Sequence, residues 1–546
     1  MYTRASPMRF ALPALPPRLT GVALAALHFC LGLIVTLDPA STHDEGLLMY
    51  GFARSLSEAL VPCLFFQKIK PALALFYMPA ARLGLAPYLL LHLAVASSAI
   101  ALVHATARSL GHARPWLPAL VLALSPIFTW SGMVGVSNSD GVAGIALFLY
   151  VLEARKSLFA AGLVLGALPW VRYECALFSA ALAPWVLARQ RSAAFLAGLV
   201  AWPALYLGAG ALYHRDALWF LHFLPNVSRL GSDNEVWIAE FASHGPKTAI
   251  FALAAVSPAV FLLPLARPSR LSSVERALGV FAAGFFGLFL VTHLAPRDIG
   301  PAFTLGFSAR YAVVPVVAVA LLLGRAIEAL EAETGPRLRD TTAAAALLGL
   351  GYLFRASTVV PLWGTAATGA LVAAARGGAK RIALAVVIGF LAFVPLQMRE
   401  EVLAALPVKD PTLASIAAWI EANPSSIRGE IYTNHQLLGP YLARRDRAPT
   451  IARVRFMLAV DHHFELVHLS NPANGQRAAV LNAIPAATFG DVVPPEELDP
   501  ARVPPGTLFV LIDDARTKQI LPPETWAQKL RPIHEAGAFS ILAFTP

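Results

Sequence analysis

Charged residues are scarce in this chain. Only 14% of its 546 residues are Asp, Glu, Lys or Arg, whereas a soluble globular domain contains about 25%. The hydrophobic fraction is 57%, and the mean hydropathy is +0.62. This composition excludes an ordinary water-soluble enzyme and predicts a chain that faces lipid over much of its length.

Cysteine is also rare, and its scarcity excludes a disulfide-stabilised fold. Three cysteines, Cys30, Cys63 and Cys175, are too few for a disulfide framework, and a thiol within an apolar run behaves as a small hydrophobic group. A cleavable signal peptide is not evident either, because no small-residue cleavage site precedes Asp38. The first apolar run, 18–37, is therefore expected to remain as a membrane helix.

The formal net charge of +10 is not gathered into one basic domain. Lys and Arg occur instead in short clusters between apolar runs, which argues against nucleic-acid binding. Basic clusters beside membrane helices mark cytoplasmic loops. These clusters lie at 4–9, 108–114, 155–156, 189–191, 267–276, 325–339 and 376–381. The N-terminus is accordingly predicted to be cytoplasmic.

Apolar runs of roughly 13 to 22 residues recur along the first 396 positions, and in lipid such runs must be helical to satisfy their backbone groups. About thirteen transmembrane helices are predicted on this basis. They are expected at 18–37, 87–108, 115–133, 141–152, 158–170, 175–187, 193–213, 247–265, 277–294, 311–323, 342–354, 359–375 and 382–396. An odd number of spans places the C-terminal tail outside the cytoplasm.

A second unit is predicted to begin after Met398, where charges, prolines and turn residues replace continuous apolar sequence. The predicted fold is an all-α polytopic membrane domain, 1–398, followed by a small extracytoplasmic α/β domain, 399–546. Within the second domain, residue patterns predict two helices and two strands. The helices are expected at 411–422 and 526–536, and the strands at 430–433 and 507–512.

The first outer loop carries the most informative polar residues. His43-Asp44-Glu45-Gly46 follows the first predicted span, and the loop ends with Lys68-Ile69-Lys70-Pro71. A carboxylate where lipid gives way to water can act as a base if it lines a protein cavity. Equally, the acidic pair could simply be the solvated start of a loop.

A second acidic segment, Ser137-Asn138-Ser139-Asp140, precedes the fourth predicted span on the same membrane face. Taken alone, Asn138 and Asp140 are typical helix N-cap residues. Their position favours a further interpretation, in which Asp44, Glu45 and Asp140 converge on one cavity.

Cationic groups are predicted on this outer face too. A charge near lipid costs a few kcal/mol unless it is paired or hydrated. The positions of Arg172 and Arg310 therefore most need an explanation. Arg172 could pair with Glu174, and Arg310 could extend to the membrane interface. Together, such cations could instead bind a phosphate. The candidate cations are Lys68, Lys70, Arg172, His293, Arg297 and Arg310.

These motifs, in this order, resemble the GT-C glycosyltransferases. The similar elements are Asp44-Glu45, Lys70-Pro71, Asp140, Arg172-Tyr173-Glu174 and the Arg310-Tyr-Ala-Val-Val-Pro helix start. Bacterial polyprenyl-phosphate-sugar transferases related to protein O-mannosyltransferases and lipid A aminoarabinose transferases look most similar. The resemblance covers roughly 18–330 and implies a bacterial inner membrane. The usual Lys-Pro-Pro motif is Lys70-Pro71-Ala72 here, so the identity of the phosphate-binding lysine is open.

The resemblance implies an inverting transferase that moves a sugar from a polyprenyl-phosphate donor to a glycan, lipid or protein acceptor on the non-cytoplasmic side. Asp44 would be the catalytic base, and Glu45 and Asp140 would orient the acceptor or hold a divalent cation. Since no Asp-X-Asp pair is evident, metal dependence stays open. Lys68, Lys70, Arg172 and Arg310 would bind the donor phosphate. Further residues would support these groups or contact the acceptor: His43, Tyr173, Glu174, His293 and Arg297.

Two other functions fit the same composition. Many spans with buried charges also describe a transporter, although no inverted repeat is visible and a large domain follows the last span. A non-catalytic GT-C-like subunit of cell-envelope glycan assembly is the second alternative. Loss of Asp44 would leave the partner binding of such a subunit unchanged.

The arginine distribution gives a direct test of orientation. A cysteine introduced near Gly429 is expected to react with an impermeant thiol reagent in intact cells, because the predicted second domain would lie outside the cytoplasm. Labelling is measured before and after lysis. Reaction only after lysis would reverse the predicted orientation.

Overall fold

The protein is described here from a computed structural model. The described residues are 17–36, 44–57, 60–65, 69–222, isolated positions within 256–269, 271–294, 312–332, 411–426, 430–433, 438, 454–457, 491–493, 501, 503–512, 528–536 and 539–545. The predicted spans 342–354, 359–375 and 382–396 lie outside them, as does most of 247–265.

Among the described residues before position 333, the regular secondary structure is helical. Its helices are α1 Pro17–Thr36, α2 Asp44–Leu56, α3 Leu60–Leu64, α4 Pro71–Leu83, α5 Leu85–Ser109, α6 Trp116–Ala123, α7 Pro126–Met133, α8 Asn138–Glu153, α9 Leu158–Val171, α10 Cys175–Gln190, α11 Ala193–His214, α12 Trp219–His222, α13 Ser273–Leu294 and α14 Val316–Ala332. A mostly helical fold is thus confirmed.

Two described helices, Leu85–Ser109 and Ala193–His214, are long and apolar enough to cross a membrane. The count rises to three if the bent pair α6 and α7 is one span. The predicted number of thirteen is therefore not confirmed and stays a prediction. Shorter apolar helices, such as α9 at 14 residues, could reach across the hydrocarbon only with local thinning of the bilayer or support from neighbours.

The predicted continuous span 115–133 is wrong in one respect, because it is broken into α6 and α7. The two helices meet at an angle of 64°. Pro126 begins α7, and the preceding Ser125 is extended, with ψ of 116°. A proline disfavours helical backbone at the residue before it, so the chain turns at this point. Ala123 still finds a partner, because the Thr129 hydroxyl donates to its carbonyl at 2.8 Å.

The first outer segment is more structured than the sequence prediction of a loop at 38–70. It contains α2 and α3, and α4 follows directly after Lys70. Pro71 at the start of α4 suits a first helical turn, where its missing N–H is not needed. The inward faces of α2, α4 and the start of α5 form a compact apolar cluster around Phe52, Tyr77 and Tyr88. Helix α4 is thereby held against the main bundle.

The main core lies between α5, α8, α9 and α14 and is built from buried Val, Leu, Ala and Phe side chains. Helices α9 and α11 approach each other most closely. A Cβ at Gly162 or Gly166 would overlap the backbone oxygen of Phe195 or Leu199, respectively. Glycine at these positions is what permits backbone-to-backbone packing, as in other small-residue helix interfaces.

At one end of the bundle, a charged cluster joins three predicted loops. Arg325 donates to Glu275 at 2.7 Å and to the Leu110 carbonyl at 2.7 Å. His112 lies 2.9 Å from the same Glu275, and both of these side chains are fully buried. The basic loops around 110, 275 and 325 therefore meet at one end, as a common membrane face requires.

The second predicted domain contains a six-stranded sheet. Its strands are β1 Ile431–Thr433, β2 Val454–Met457, β3 Asp491–Val493, β4 Leu508–Ile512, β5 Leu530–Ala536 and β6 Phe539–Phe544, in the order β3-β2-β1-β4-β6-β5. The first four are parallel, and β6 pairs antiparallel with β4 and β5. Helix α15, Pro411–Ala422, precedes them. The boundary at 398–399 itself stays a prediction.

Both predicted strands and the helix at 411–422 are confirmed, but the predicted helix at 526–536 is wrong. Residues Leu530–Ala536 form β5, at the edge of the sheet, with an irregularity between Pro532 and His534. A proline inside a helix removes a hydrogen bond and clashes with the preceding turn, whereas an edge strand accepts it. Pro532 is therefore the residue in this segment that argues against a helix.

The contact between α9 and α11 predicts that one added methyl group destabilises the protein more at Gly162 than at Gly208. Gly162→Ala is expected to lower the free energy of unfolding by about 1 to 3 kcal/mol, because the overlap forces the two backbones apart. Gly208→Ala is the control on α11, since its Cβ would meet nothing within 4 Å. Thermal unfolding in detergent measures both. Equal melting temperatures for the two variants would contradict the packing.

Candidate functional site

The turn before α8 lies against the first turn of α2. A Cβ on Gly46 would come within 2.8 Å of the Val134 carbonyl oxygen and 3.0 Å of the Gly135 oxygen. Gly135 itself has φ of +82°, which favours glycine. Two glycines, one from each outer segment, thus let the Asp44 end of α2 approach the segment that leads to Asp140.

Two cations converge on one hydroxyl at the start of α8. Lys70 Nζ donates to Ser137 Oγ at 2.5 Å, and Arg172 Nη1 donates to the same oxygen at 2.6 Å. Lys70 immediately precedes α4, Ser137 precedes α8, and Arg172 ends α9. Three helix ends therefore bring a lysine, an arginine and a serine to one point, beside the N–H groups of the first turn of α8.

Arg172 is held by a carboxylate two residues further along the chain. Its Nε and Nη2 donate to the two oxygens of Glu174 at 2.9 and 2.8 Å. Arg172 is only 4% exposed, and it lies beside Gly141, where a Cβ would be in ordinary contact with the arginine Cβ and Cδ at 3.8 Å. The predicted Arg172–Glu174 ion pair is present, with Arg172 Nη1 still directed at Ser137. Tyr173, between the two, donates to the Ile69 carbonyl at 3.2 Å.

The charge state of Glu174 follows from its surroundings. Burial works to raise its pKa, but the charge of Arg172, the hydrogen bonds from Arg172 and the charge of Lys70 together hold the pKa below its ordinary value. Glu174 is therefore ionised at neutral pH. Its carboxylate thereby offsets part of the positive charge of Arg172 and Lys70.

Asp140 lies one helical turn after Ser137 and is only 4% exposed. The Tyr77 hydroxyl donates to its Oδ1 at 2.5 Å, and His92 Nε2 lies 3.1 Å from its Oδ2. Tyr77 comes from α4 and His92 from α5. The carboxylate is thus enclosed by polar groups of two neighbouring helices.

The N-cap interpretation of the acidic segment does not hold for Asp140. Ser137 occupies the cap position of α8, without a side-chain bond to the helix backbone, and Asp140 turns toward α4 and α5. Within the described residues, no group of three or more His, Cys, Asp or Glu side chains is arranged to hold a metal ion. Metal dependence is not tested by this finding.

The other predicted site residues fall at the edge of the described structure or beyond it. Asp44 and Glu45 begin α2 and His293 lies near the end of α13, but their side chains are outside the described part. The remaining four, His43, Lys68, Arg297 and Arg310, lie outside the described residues.

Three residues that sequence reasoning missed take part in this site: Ser137, Tyr77 and His92. Ser137 was noticed only as part of a cap-like segment. His92 gave a signal of its own, because an ionisable residue inside a predicted span is by default a functional candidate. Tyr77 gave no comparable signal, since tyrosine is common in membrane helices near the interface.

Comparison with solved structures agrees with this architecture. The chain superposes on ArnT from Cupriavidus metallidurans in the apo state with a TM-score of 0.54, covering 96% of this chain and 98% of that one at 15% identity. The chain shares its fold with ArnT. A structure of the same ArnT bound to undecaprenyl phosphate gives a TM-score of 0.55 at 14% identity, with the same coverage. No protein-family model and no curated protein sequence matches the chain.

The ArnT likeness extends over nearly the whole chain and agrees with the mostly helical fold that was expected, whereas the number of thirteen spans stays a prediction. Sequence identities of 14 and 15% support a shared fold and nothing more specific. The roles of individual residues therefore depend on the geometry described above.

The Arg172–Glu174 pair predicts a defined pH dependence. Glu174→Gln is expected to lower the free energy of unfolding by about 1 to 3 kcal/mol at pH 7, because Gln cannot accept both arginine bonds as an anion. Since the pKa of Glu174 is lowered on folding, this contribution is fully present above the ordinary glutamate pKa of about 4.5. It is lost as pH falls through the folded-state pKa.

The measurement is the melting temperature of both proteins from pH 8 to the lowest pH that the detergent-solubilised protein tolerates. The difference in melting temperature between the original protein and Glu174→Gln should stay constant down to about pH 5 and then narrow. A gap that opens only at low pH would contradict an ionised, paired Glu174.

Proposed function

We propose that this protein is an inverting membrane glycosyltransferase that uses a polyprenyl-phosphate-linked sugar as donor. The single observation that carries the proposal is the convergence of Lys70 and Arg172 on Ser137 at the start of α8. Two cationic donors, a hydroxyl and a helix N-terminus are suited to a phosphate group.

The charge of this group supports a lipid-phosphate ligand. Two cations that meet near lipid are costly unless negative charge accompanies them, which favours an anionic ligand where Lys70 and Arg172 meet. A phosphate would add negative charge at this point and would accept hydrogen bonds from both side chains, as the Ser137 hydroxyl does. ArnT from Cupriavidus metallidurans, which has the same fold, binds undecaprenyl phosphate.

In the proposed reaction, Asp44 takes the proton from an acceptor hydroxyl, and the acceptor oxygen forms a bond to the anomeric carbon. The bond between that carbon and the phosphate oxygen breaks in line, and polyprenyl phosphate leaves with both electrons. Lys70 and Arg172 stabilise the negative charge that develops on the leaving phosphate. Lys68 and Arg310 remain candidates for the same role.

Several observations support Asp44 and Glu45 as the acceptor-side groups. Helix α2 begins at Asp44, and its first turn lies against the 134–135 turn through Gly46. Asp140 is nearly inaccessible and is already engaged by Tyr77 and His92. We therefore assign the acceptor contact to Asp44 and Glu45, and a supporting role to Asp140. His43, His293 and Arg297 stay candidates for contacts with the acceptor.

The proposed site faces the non-cytoplasmic side. The site and the charged cluster around Arg325 belong to opposite sets of predicted loops, and the basic loops are the ones expected in the cytoplasm. The sugar would thus be transferred on the outer surface of the membrane. A transporter or a non-catalytic assembly subunit remains the alternative and would give no product in the following test.

The purified protein is expected to release polyprenyl phosphate when it is incubated with a panel of undecaprenyl-phosphate-linked sugars and glycan or lipid acceptors. Asp44→Asn should reduce the rate by at least about 100-fold while leaving the melting temperature unchanged, because only the base is removed. Release of polyprenyl phosphate is measured by mass spectrometry.

Lys70→Ala should weaken the binding of undecaprenyl phosphate by about 10-fold or more, because a charge-assisted contact is lost. Lys156→Ala is the matched control, since that lysine is exposed and pairs with Glu153 away from the site. Equal effects of the two lysine variants, or full activity of Asp44→Asn, would overturn the assignment.

A further inference from the structure

The protonation of His92 can be assigned from its partners. Nδ1 lies 3.2 Å from the Gly132 carbonyl, which can only accept a hydrogen bond. Nε2 lies 3.1 Å from Asp140 Oδ2 and 3.3 Å from Ser139 Oγ, whose own hydrogen goes to the Val136 carbonyl. Both ring nitrogens therefore face acceptors, and the arrangement is satisfied when both carry a proton.

An imidazolium at this position gives Asp140 a partner of opposite charge in a buried setting. His92 and Asp140 are both nearly inaccessible, with side-chain exposures of 0% and 3%. A buried carboxylate without a compensating charge would be costly. The Tyr77 hydroxyl fixes the other oxygen without adding charge. The pair as a whole is therefore neutral.

The position of this neutral pair matters because Asp140 and Ser137 are three residues apart on α8. Residues at this spacing share one face of a helix, with Cβ atoms about 5 to 6 Å apart. An uncompensated Asp140 would place a negative charge next to the point where Lys70 and Arg172 meet. At such distances in a partly buried site, the negative charge of Asp140 would substantially weaken the attraction between these two cations and a phosphate.

We propose that His92 is a positioning and charge-compensating residue for the lipid-phosphate site, which it serves by neutralising Asp140. This inference rests on the proposed function and adds to it a residue that never touches the donor. His92 offsets the negative charge of Asp140, so that this charge does not weaken the attraction between the phosphate and the cations that bind it. Tyr77 holds the same carboxylate in place.

The test compares the binding of undecaprenyl phosphate with that of undecaprenol, the same chain without phosphate. His92→Gln keeps a hydrogen-bond donor but removes the charge, so phosphate-lipid binding should weaken by about 10-fold. Undecaprenol binding should not change. Adding Asp140→Asn to His92→Gln removes the uncompensated charge and should restore phosphate-lipid binding to within about threefold of the original protein.

His28→Gln is the matched control. His28 is another buried helical histidine, but its Nδ1 faces the Ser97 hydroxyl at 2.9 Å and no carboxylate pairs with it among the described residues. Binding is followed by intrinsic tryptophan fluorescence in detergent, and melting temperatures confirm that each variant is folded. His28→Gln should bind both lipids as the original protein does.

The outcomes separate the two proposals. If the original protein binds undecaprenyl phosphate no better than undecaprenol, the proposed function fails and this inference fails with it. If the original protein discriminates between the lipids but the double variant binds as weakly as His92→Gln, His92 has only a structural role and the inference alone is overturned. Rescue by Asp140→Asn is the result that a purely structural histidine would not give.

Discussion

The site depends on one constraint: cations that meet near lipid need groups that accept their hydrogen bonds or offset their charge. Ser137 does this for Lys70 and Arg172. Glu174 binds the other side of the arginine and so fixes its direction. The rest of the arrangement, from the start of α4 to the end of α9, serves to bring these few atoms together.

Negative charge is distributed around these cations in two ways. Glu174 contacts Arg172 directly and stays ionised because the cations outweigh the effect of burial on its pKa. Asp140, although closer in sequence to Ser137, contacts Tyr77 and His92. Glu174 thus interacts with the cations by direct contact, whereas Asp140 is paired with His92.

Much of the helical framework could be predicted, because long apolar runs have few alternatives in lipid. The bounds of α5, α9, α10 and α11 differ from those expected by only a few residues. Two of the errors came from proline: Pro126 breaks a predicted span, and Pro532 belongs to a strand. Within the site, Lys70, Arg172 and Asp140 could be chosen as charges near lipid. Ser137, Tyr77 and His92 could not be paired with them, because spacing along the chain does not show which helices are neighbours.

The glycine contact between α9 and α11 has a consequence beyond packing. Arg172 directly follows α9, so the packing of that helix on α11 through Gly162 and Gly166 supports the helix end from which the guanidinium reaches Ser137. In a saturation mutagenesis screen, these glycines should tolerate substitution as poorly as the arginine does, although they never meet a ligand. A map of intolerant positions would then trace a stripe running down the helix, away from the chemistry, and would be misread as a second site.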